Sequence, residues 1–370
     1  MKYYIIAGEA SGDLHASNLI REIKKLDTNP VIRAWGGDFM QQQGAEIVKH
    51  YRELAFMGFT EVLMNLFEIL RNISFCKKDI LAFAPDVLIL VDYPGFNLRM
   101  AEFAKLQNIK VIYYISPQIW AWKKGRIHTI KRVVDKMLVI LPFEKEFYKQ
   151  NQVVVDFVGH PLLDAIAAEP TDNEGFNASH NLPDKPIVAL LPGSRKQEIS
   201  KMLEIMLSVV DDFPDYQFVI GGAPSIDSSF YTNIILDRNV RVISGATHQL
   251  LRHARAALIT SGTATLEAAL LKVPEVVCYK SSPISYAIAK RLVHIKYISL
   301  VNLIMDRQVV CELIQHDLNK VKLRFELGQL LTNSEKTTVL MADYNSLIEK
   351  LGGPGASAKA AKIIYDFLHQ

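Results

Sequence analysis

Met1-Lys2-Tyr3-Tyr4-Ile5-Ile6-Ala7 runs directly into Gly8-Glu9-Ala10-Ser11-Gly12-Asp13, and this stretch decides how the chain is read. An apolar run broken by Gly-x-x-x-Gly and followed by a helical pattern predicts strand, tight turn and helix. Such a turn after the first strand of an α/β domain marks a site at the carboxyl ends of the strands. The turn carries Glu9 and Asp13, so it is ill suited to cradle a phosphate. It is neither G-x-G-x-x-G nor a P-loop.

Working outward, the same rhythm recurs. Strands are expected at Tyr3–Ala7, Val31–Trp35, Val87–Val91, Val111–Ile115, Met137–Leu141 and Val153–Val158. Helical patterns follow at Leu14–Leu26, Arg99–Gln107 and Glu144–Gln150, which implies parallel β with crossover helices. A polar, turn-rich stretch between Glu169 and Asp184 is the best boundary. The rhythm restarts at Ile187–Leu191 and continues at Gln217–Gly221, Val240–Ile243, Ala256–Thr260 and Glu275–Tyr279. From Asn319 onward the pattern is mainly helical, broken at Leu351–Gly355 before a last helix, Ser357–Leu368. Two nucleotide-type α/β domains with a cleft between them are expected.

Composition narrows the classes. With 370 residues, two domains of core-forming size are expected. Hydrophobic residues at 49% exclude a disordered chain, and a formal charge of +3 is too small to demand nucleic acid. Cys76, Cys278 and Cys311 are far apart, which fits buried thiols in a reducing compartment, with the cytoplasm the default. No basic segment leading into an apolar run marks a signal peptide, and no apolar run reaches the ~18 residues of a spanning helix. Leu54–Phe75, however, carries a broad apolar helical face. It reads either as a helix buried between neighbours or as a face touching acyl chains or a membrane surface.

Several turns carry chemistry. Pro192-Gly193-Ser194-Arg195 follows a strand and places an arginine where a phosphate would suit it, although a solvated arginine explains it equally. Thr260-Ser261-Gly262-Thr263-Ala264-Thr265-Leu266-Glu267 ends a strand and starts a helix with small residues. Its first amides, with the Ser261 and Thr263 hydroxyls, suit a diphosphate, and Glu267 suits the two hydroxyls of a ribose. The alternative is that the acid merely supports the helix start. Asp92, at the end of Ile89-Leu90-Val91-Asp92, is either a general base or a helix cap. Trp120 and Trp122 pave a sugar or acyl surface, or belong to the core. His160 reads as a hydrogen-bonded structural histidine. The chain lacks a D-x-D pair, a zinc spacing and a G-x-S-x-G elbow, which argues against a metal-clamped sugar nucleotide, a zinc site and a hydrolase triad.

Taken in order, the motifs Gly8–Asp13, Leu54-Ala55-Phe56-Met57-Gly58, Asp92-Tyr93-Pro94-Gly95-Phe96-Asn97 and Tyr114–Trp122 resemble those of the lipid-A-disaccharide synthases, bacterial glycosyltransferases of family 19. The resemblance continues through Leu141–Glu144, Val158–Pro161, Leu191–Arg195, Ser261–Glu267, Tyr297–Ile304 and Glu312–Gln315. It implies a GT-B fold: two Rossmann-like domains facing a central cleft, with a C-terminal helix crossing back to the first. Residues 1–170, with 355–370 packed on them, would bind the acceptor, and 184–350 the UDP-sugar.

The implied reaction joins UDP-2,3-diacylglucosamine to 2,3-diacylglucosamine 1-phosphate with inversion, giving a β-1′,6 disaccharide and UDP. Asp92 would be the base. Ser194, Arg195, Ser261, Gly262, Thr263, Glu267 and Asn302 would hold UDP, with no metal or other cofactor. Glu9, Ser11, Asp13, Met57, Phe59, Leu63, Phe67 and Trp120 are candidates for the acceptor and lipid side, with Glu9 and Asp13 either binding sugar hydroxyls or fixing the turn and capping the helix. Implied partners are lipid-linked sugars and the inner-membrane surface, met peripherally from the cytoplasm, with a homodimer compatible and no nucleic acid. The rival is another GT-B enzyme using UDP-GlcNAc, a peptidoglycan-precursor transferase or an epimerase. The chain departs from the family pattern at Gly95, where many relatives have a second acid, at Val301, usually proline, and at Asp306, commonly glycine.

Overall fold

The computed structural model describes residues 1–53, 66–121, 125–169, 175–224, 226–282, 286 and 296–370. The chain divides into two compact units, Met1–Ala168 with Leu351–Gln370, and Glu169–Lys350.

In the first unit the opening stretch forms strand β1 (Lys2–Ala7), buried from Tyr3 onward. Burial on both faces is what a central parallel strand under helices requires. Around it stand β2 (Val31–Gly36), β3 (Glu46–His50), β4 (Val87–Val91), β5 (Lys110–Tyr114), β6 (Lys136–Val139) and β7 (Asp156–Phe157), in the order β3-β2-β1-β4-β5-β6-β7. The order reverses between β1 and β4, the topological switch point where ligands of such sheets bind. Register fixes what meets there. Ala7 lies opposite Val91, and Val91 opposite Tyr114. Gly8, Asp92 and Ile115 therefore leave the sheet side by side.

The second unit repeats this plan with β8 (Ile187–Leu191), β9 (Gln217–Gly222), β10 (Val240–Ser244), β11 (Ala254–Thr260), β12 (Glu275–Tyr279) and β13 (Cys311–Ile314), in the order β10-β9-β8-β11-β12-β13. Its switch point lies between β8 and β11. Leu191 pairs with Ile259 and Thr260 with Cys278, so the Pro192–Arg195 and Ser261–Thr263 turns emerge next to each other.

The differences from the sequence reading lie at sheet edges. β3 and β13 are not signalled by the sequence, because each pairs on one side only and carries charged or half-exposed residues instead of an apolar run. The expected strand Val153–Val158 contracts to two paired residues for the same reason.

The last helix, Ala356–Leu368, packs against helix Ala10–Leu26 of the first unit. Its start is held by Asp164, whose carboxylate accepts from Gly355 N (2.5 Å) and Ser357 N (2.7 Å). Gly355 adopts φ +107°, a left-handed turn that glycine enters without steric cost.

Candidate active site

At the first switch point the backbone itself is unusual. Asp92 (φ +45°) and Tyr93 (φ +47°) are consecutive left-handed residues, and Ile115, on the adjacent strand end, has φ +65°. For a β-branched residue this is a genuine outlier, and such strain, roughly 1–3 kcal/mol per residue, gathers at functional sites. The bend is pinned from behind. The Asp92 carbonyl accepts from Tyr113 Oη (2.6 Å) and from Asn97 Nδ2 (2.7 Å), which also reaches the Val91 carbonyl at 3.2 Å. The Tyr93 ring lies against Gly8, where an added Cβ would sit 2.3 Å from it. The opening turn and the Asp92 loop are thus locked together, and glycine is the residue that permits it.

Pinning the main chain leaves the Asp92 carboxyl directed by the bend. Burial first, and then the like charge of Glu9, push it up to about 7, against a smaller downward pull from the Tyr93 amide. A group balanced there takes up or gives a proton near neutral pH. Glu9 is exposed at the N-cap of helix Ala10–Leu26, and Ser11 is exposed beside it.

Asp13 requires a correction. It is 1% exposed, and its carboxylate accepts from Gly37 N (2.8 Å), Phe39 N (3.1 Å) and Met40 N (3.1 Å). These are the free amides that open helix Asp38–Gln42, so Asp13 caps that helix and has no place among the acceptor-side residues.

Trp120 is half-buried, set edge-to-face on Phe143 with ring centroids 4.8 Å apart. Near it Ser116 and Tyr148 share a 2.7 Å hydrogen bond, and buried Glu144 accepts from Ile140 N and Leu141 N. Burial pushes Glu144 up to about 7. His160 is buried and neutral, with Nδ1 accepting from Leu162 N (3.3 Å); burial and then His15 lower it to about 3.

Of the expected lipid-side residues, Met57, Phe59 and Leu63 lie outside the described residues. Phe67 stands on helix Leu66–Phe83 and is 88% exposed, with Leu70 and Phe75 also exposed. At 100° per residue they fall on the side away from the buried Cys76 and Ile80. Among the described residues no helix is long and apolar enough to cross a membrane.

The second switch point has the opposite character. Gly193 takes φ +111°, a left-handed conformation that favours glycine, and beside it Glu198 accepts from Ser194 N at 3.2 Å. This clasp presents Ser194 and Arg195 to solvent. Gly262 is different. It is extended, and an added Cβ would find nothing within 4 Å. The fold does not demand glycine there, and the turn that opens helix Thr263–Leu270 is left uncrowded. Gly262 and Thr263 are exposed. Ser261 Oγ donates to the Ile298 carbonyl (2.9 Å), so its hydroxyl anchors the turn. Glu267 lies one turn into the helix, close to His248, which the sequence reading missed: Nε2 stands 3.4 Å from Glu267 Oε2.

Asn302 also requires correction as a nucleotide contact. It is 0% exposed. Its Oδ1 accepts from Val309 N (2.7 Å) and Val310 N (3.0 Å), and its Nδ2 donates to the Val310 carbonyl (2.9 Å) and Glu312 Oε1 (2.8 Å). All its capacity is spent internally. Glu312 in turn accepts from Ile298 N (3.0 Å), Ser299 N (3.0 Å) and Ser299 Oγ (2.8 Å). The pair therefore holds the segment on which Ser261 rests. Val301 fits the first turn of helix Leu300–Met305, and Asp306 closes it at φ +51°, a conformation glycine adopts more cheaply.

Residues 3–367 match the family model described as lipid-A-disaccharide synthetase. The chain is 40% identical to the lipid-A-disaccharide synthase of Syntrophus aciditrophicus, covering 96% of this chain and 95% of that protein. It is 37% identical to that of Geobacter sulfurreducens, with 98% and 96% covered. Among solved structures, the UDP-GlcNAc 2-epimerase of Methanocaldococcus jannaschii in complex with UDP-GlcNAc and UDP superposes with a TM-score of 0.67 at 15% identity, covering 98% of this chain and 99% of that one. The enzyme of Neisseria meningitidis bound to UDP-GlcNAc gives 0.65 at 14%, with 100% of each chain covered. At such identities the superpositions show the fold alone, two parallel Rossmann-like sheets in the GT-B manner. The rival reading as an epimerase therefore rests on shared architecture, while sequence identity along the whole length points elsewhere: the chain belongs to the lipid-A-disaccharide synthase family.

Proposed function

We propose that this glycosyltransferase of lipid A biosynthesis works by a single displacement with Asp92 as its base. The acceptor is 2,3-diacylglucosamine 1-phosphate and the donor UDP-2,3-diacylglucosamine. The 6-hydroxyl oxygen attacks the anomeric carbon, the bond from that carbon to the UDP oxygen breaks, and the hydroxyl proton passes to the Asp92 carboxylate. One displacement turns the α-linked donor into a β-1′,6 product. The observation that carries the reading is Asp92 itself: a carboxyl raised to about 7 on a strained, pinned backbone at a switch point.

Charge leaves on UDP. Arg195, the open amides at Gly262 and Thr263, and the Thr263 hydroxyl would receive it, with Glu267 on the ribose and Ser261, Asn302 and Glu312 holding the turn. These donors meet the electrostatic need without a metal ion, so chelators are expected to leave the rate unchanged. Glu9 and Ser11, both exposed at the opening turn, are the acceptor-side candidates that keep free reach. The exposed apolar side of helix Leu66–Phe83 supports contact with acyl chains at the inner-membrane surface.

The test is incubation of the protein with UDP-2,3-diacylglucosamine and 2,3-diacylglucosamine 1-phosphate, following UDP and the lipid disaccharide. Both should appear together. Turnover of UDP-GlcNAc with none of the acylated donor would replace this reading with the epimerase-like one.

A further inference from the structure

Three side chains of the second unit form a line that no sequence motif announces. His248, on helix Thr247–His253, has Nδ1 2.6 Å from Glu169 Oε1 and Nε2 3.4 Å from Glu267 Oε2. Glu267 stands on the helix that opens at Gly262, whereas Glu169 is the residue with which the second unit begins. An imidazole facing a carboxylate on each ring nitrogen satisfies both only when both nitrogens carry hydrogen. Burial opposes that charge, yet Glu267 and then Glu169 outweigh it and hold His248 above the ordinary histidine value.

A carboxylate that must accept from two neighbouring ribose hydroxyls loses affinity if its rotamer wanders, and a hydrogen-bonded residue behind it supplies the needed stiffness. Glu267 alone has two free torsions beyond Cβ. His248 touches one of its two oxygens, Oε2, and is itself fixed from the far side by Glu169.

Resting on the reading of Glu267 as the ribose ligand, we propose that His248 is the positioning residue that sets Glu267 for the 2′- and 3′-hydroxyls, and that Glu169 sets His248. The line then determines preference for a ribonucleoside diphosphate over its dideoxy counterpart.

Calorimetric titration of the full chain with UDP and with 2′,3′-dideoxy-UDP tests this. Glu267→Gln should weaken UDP binding roughly 10- to 100-fold and leave the dideoxy compound nearly unchanged. His248→Gln should weaken UDP about tenfold with the same selectivity. Glu169→Gln should act in the same direction, by less. The double variant His248→Gln/Glu267→Gln should bind UDP no worse than Glu267→Gln alone, since both changes break one contact. A merely structural histidine predicts equal weakening for both nucleotides, and that result overturns the proposal. Should His248→Gln fold poorly, Glu169→Gln carries the test, because its side chain is 40% exposed. If Glu267→Gln leaves discrimination intact, the ribose reading falls and this inference with it. If Glu267→Gln removes discrimination while His248→Gln and Glu169→Gln keep it, the positioning role alone falls.

Discussion

The two units share one strand order up to the sixth strand and put opposite chemistry at the same topological place. At the β1/β4 point the chain sets carboxyls, Asp92 with Glu9 near it, on a backbone bent three times into the left-handed region. At the β8/β11 point it sets Arg195 and uncovered amides around an extended glycine. One point raises the proton affinity of a carboxyl, as the proposed base needs; the other sets a cation and open amides where the proposed leaving diphosphate would sit. A sheet order therefore fixes where chemistry occurs, and the side chains at two turns fix which chemistry.

The sharpest way to break this contrast is Asp92→Asn. Turnover should fall roughly 10²–10⁴-fold while UDP affinity holds, because the base is lost and the second unit is untouched. Steady-state rates with calorimetric UDP binding check it; retained turnover would remove Asp92 from the chemistry. The same variant should be more stable. A carboxyl raised from 3.8 to about 7 binds its proton more tightly folded than unfolded, so its contribution to stability falls as pH rises between about 4 and 7. At pH 8 the amide escapes this cost, which a rise of about three units caps at roughly 4 kcal/mol, and the melting temperature should rise.

A pair of glycines sharpens the contrast next. Gly8→Ala drives a methyl into the Tyr93 ring, so it should cost stability, about 1–3 kcal/mol, and turnover together. Gly262→Ala meets open space, so melting should hold while UDP binding weakens roughly 10- to 100-fold. Equal melting losses for both would mean that Gly262 serves the fold after all.

How much of this was legible in the sequence follows from range. The β1 run, the Asp92 strand end and the small Ser261–Thr263 turn are local patterns, and each lies where it was read. The left-handed triple is not local. Ile115 would be placed in a strand by any propensity, and only the pairing of β4 with β5 and the grip of Tyr113 and Asn97 show why the chain turns there. His248 and Glu267 are on different helices and meet only through packing. Asn302 runs the other way: the sequence offers it as a ligand contact, yet its side chain is tied to Glu312 and the Val309–Val310 backbone through contacts that no spacing encodes.

The smallest expected effect tests the cause assigned to Asp92. Burial is the larger influence on its carboxyl and Glu9 the second. Glu9 is exposed, so Glu9→Gln removes a charge without disturbing packing. Asp92 must be ionised to accept a proton, so kcat/KM of the unaltered protein should rise with pH through about 7. With Glu9 neutralised, the like-charge repulsion disappears and the rising limb should move to lower pH, yet remain well above the ordinary aspartate range because burial persists. A limb that stays in place would show that Glu9 is screened by water from Asp92. A limb that drops all the way to the ordinary range would show that repulsion, not burial, sets the base, and the distinction between the acidic point and the basic one would have to be redrawn.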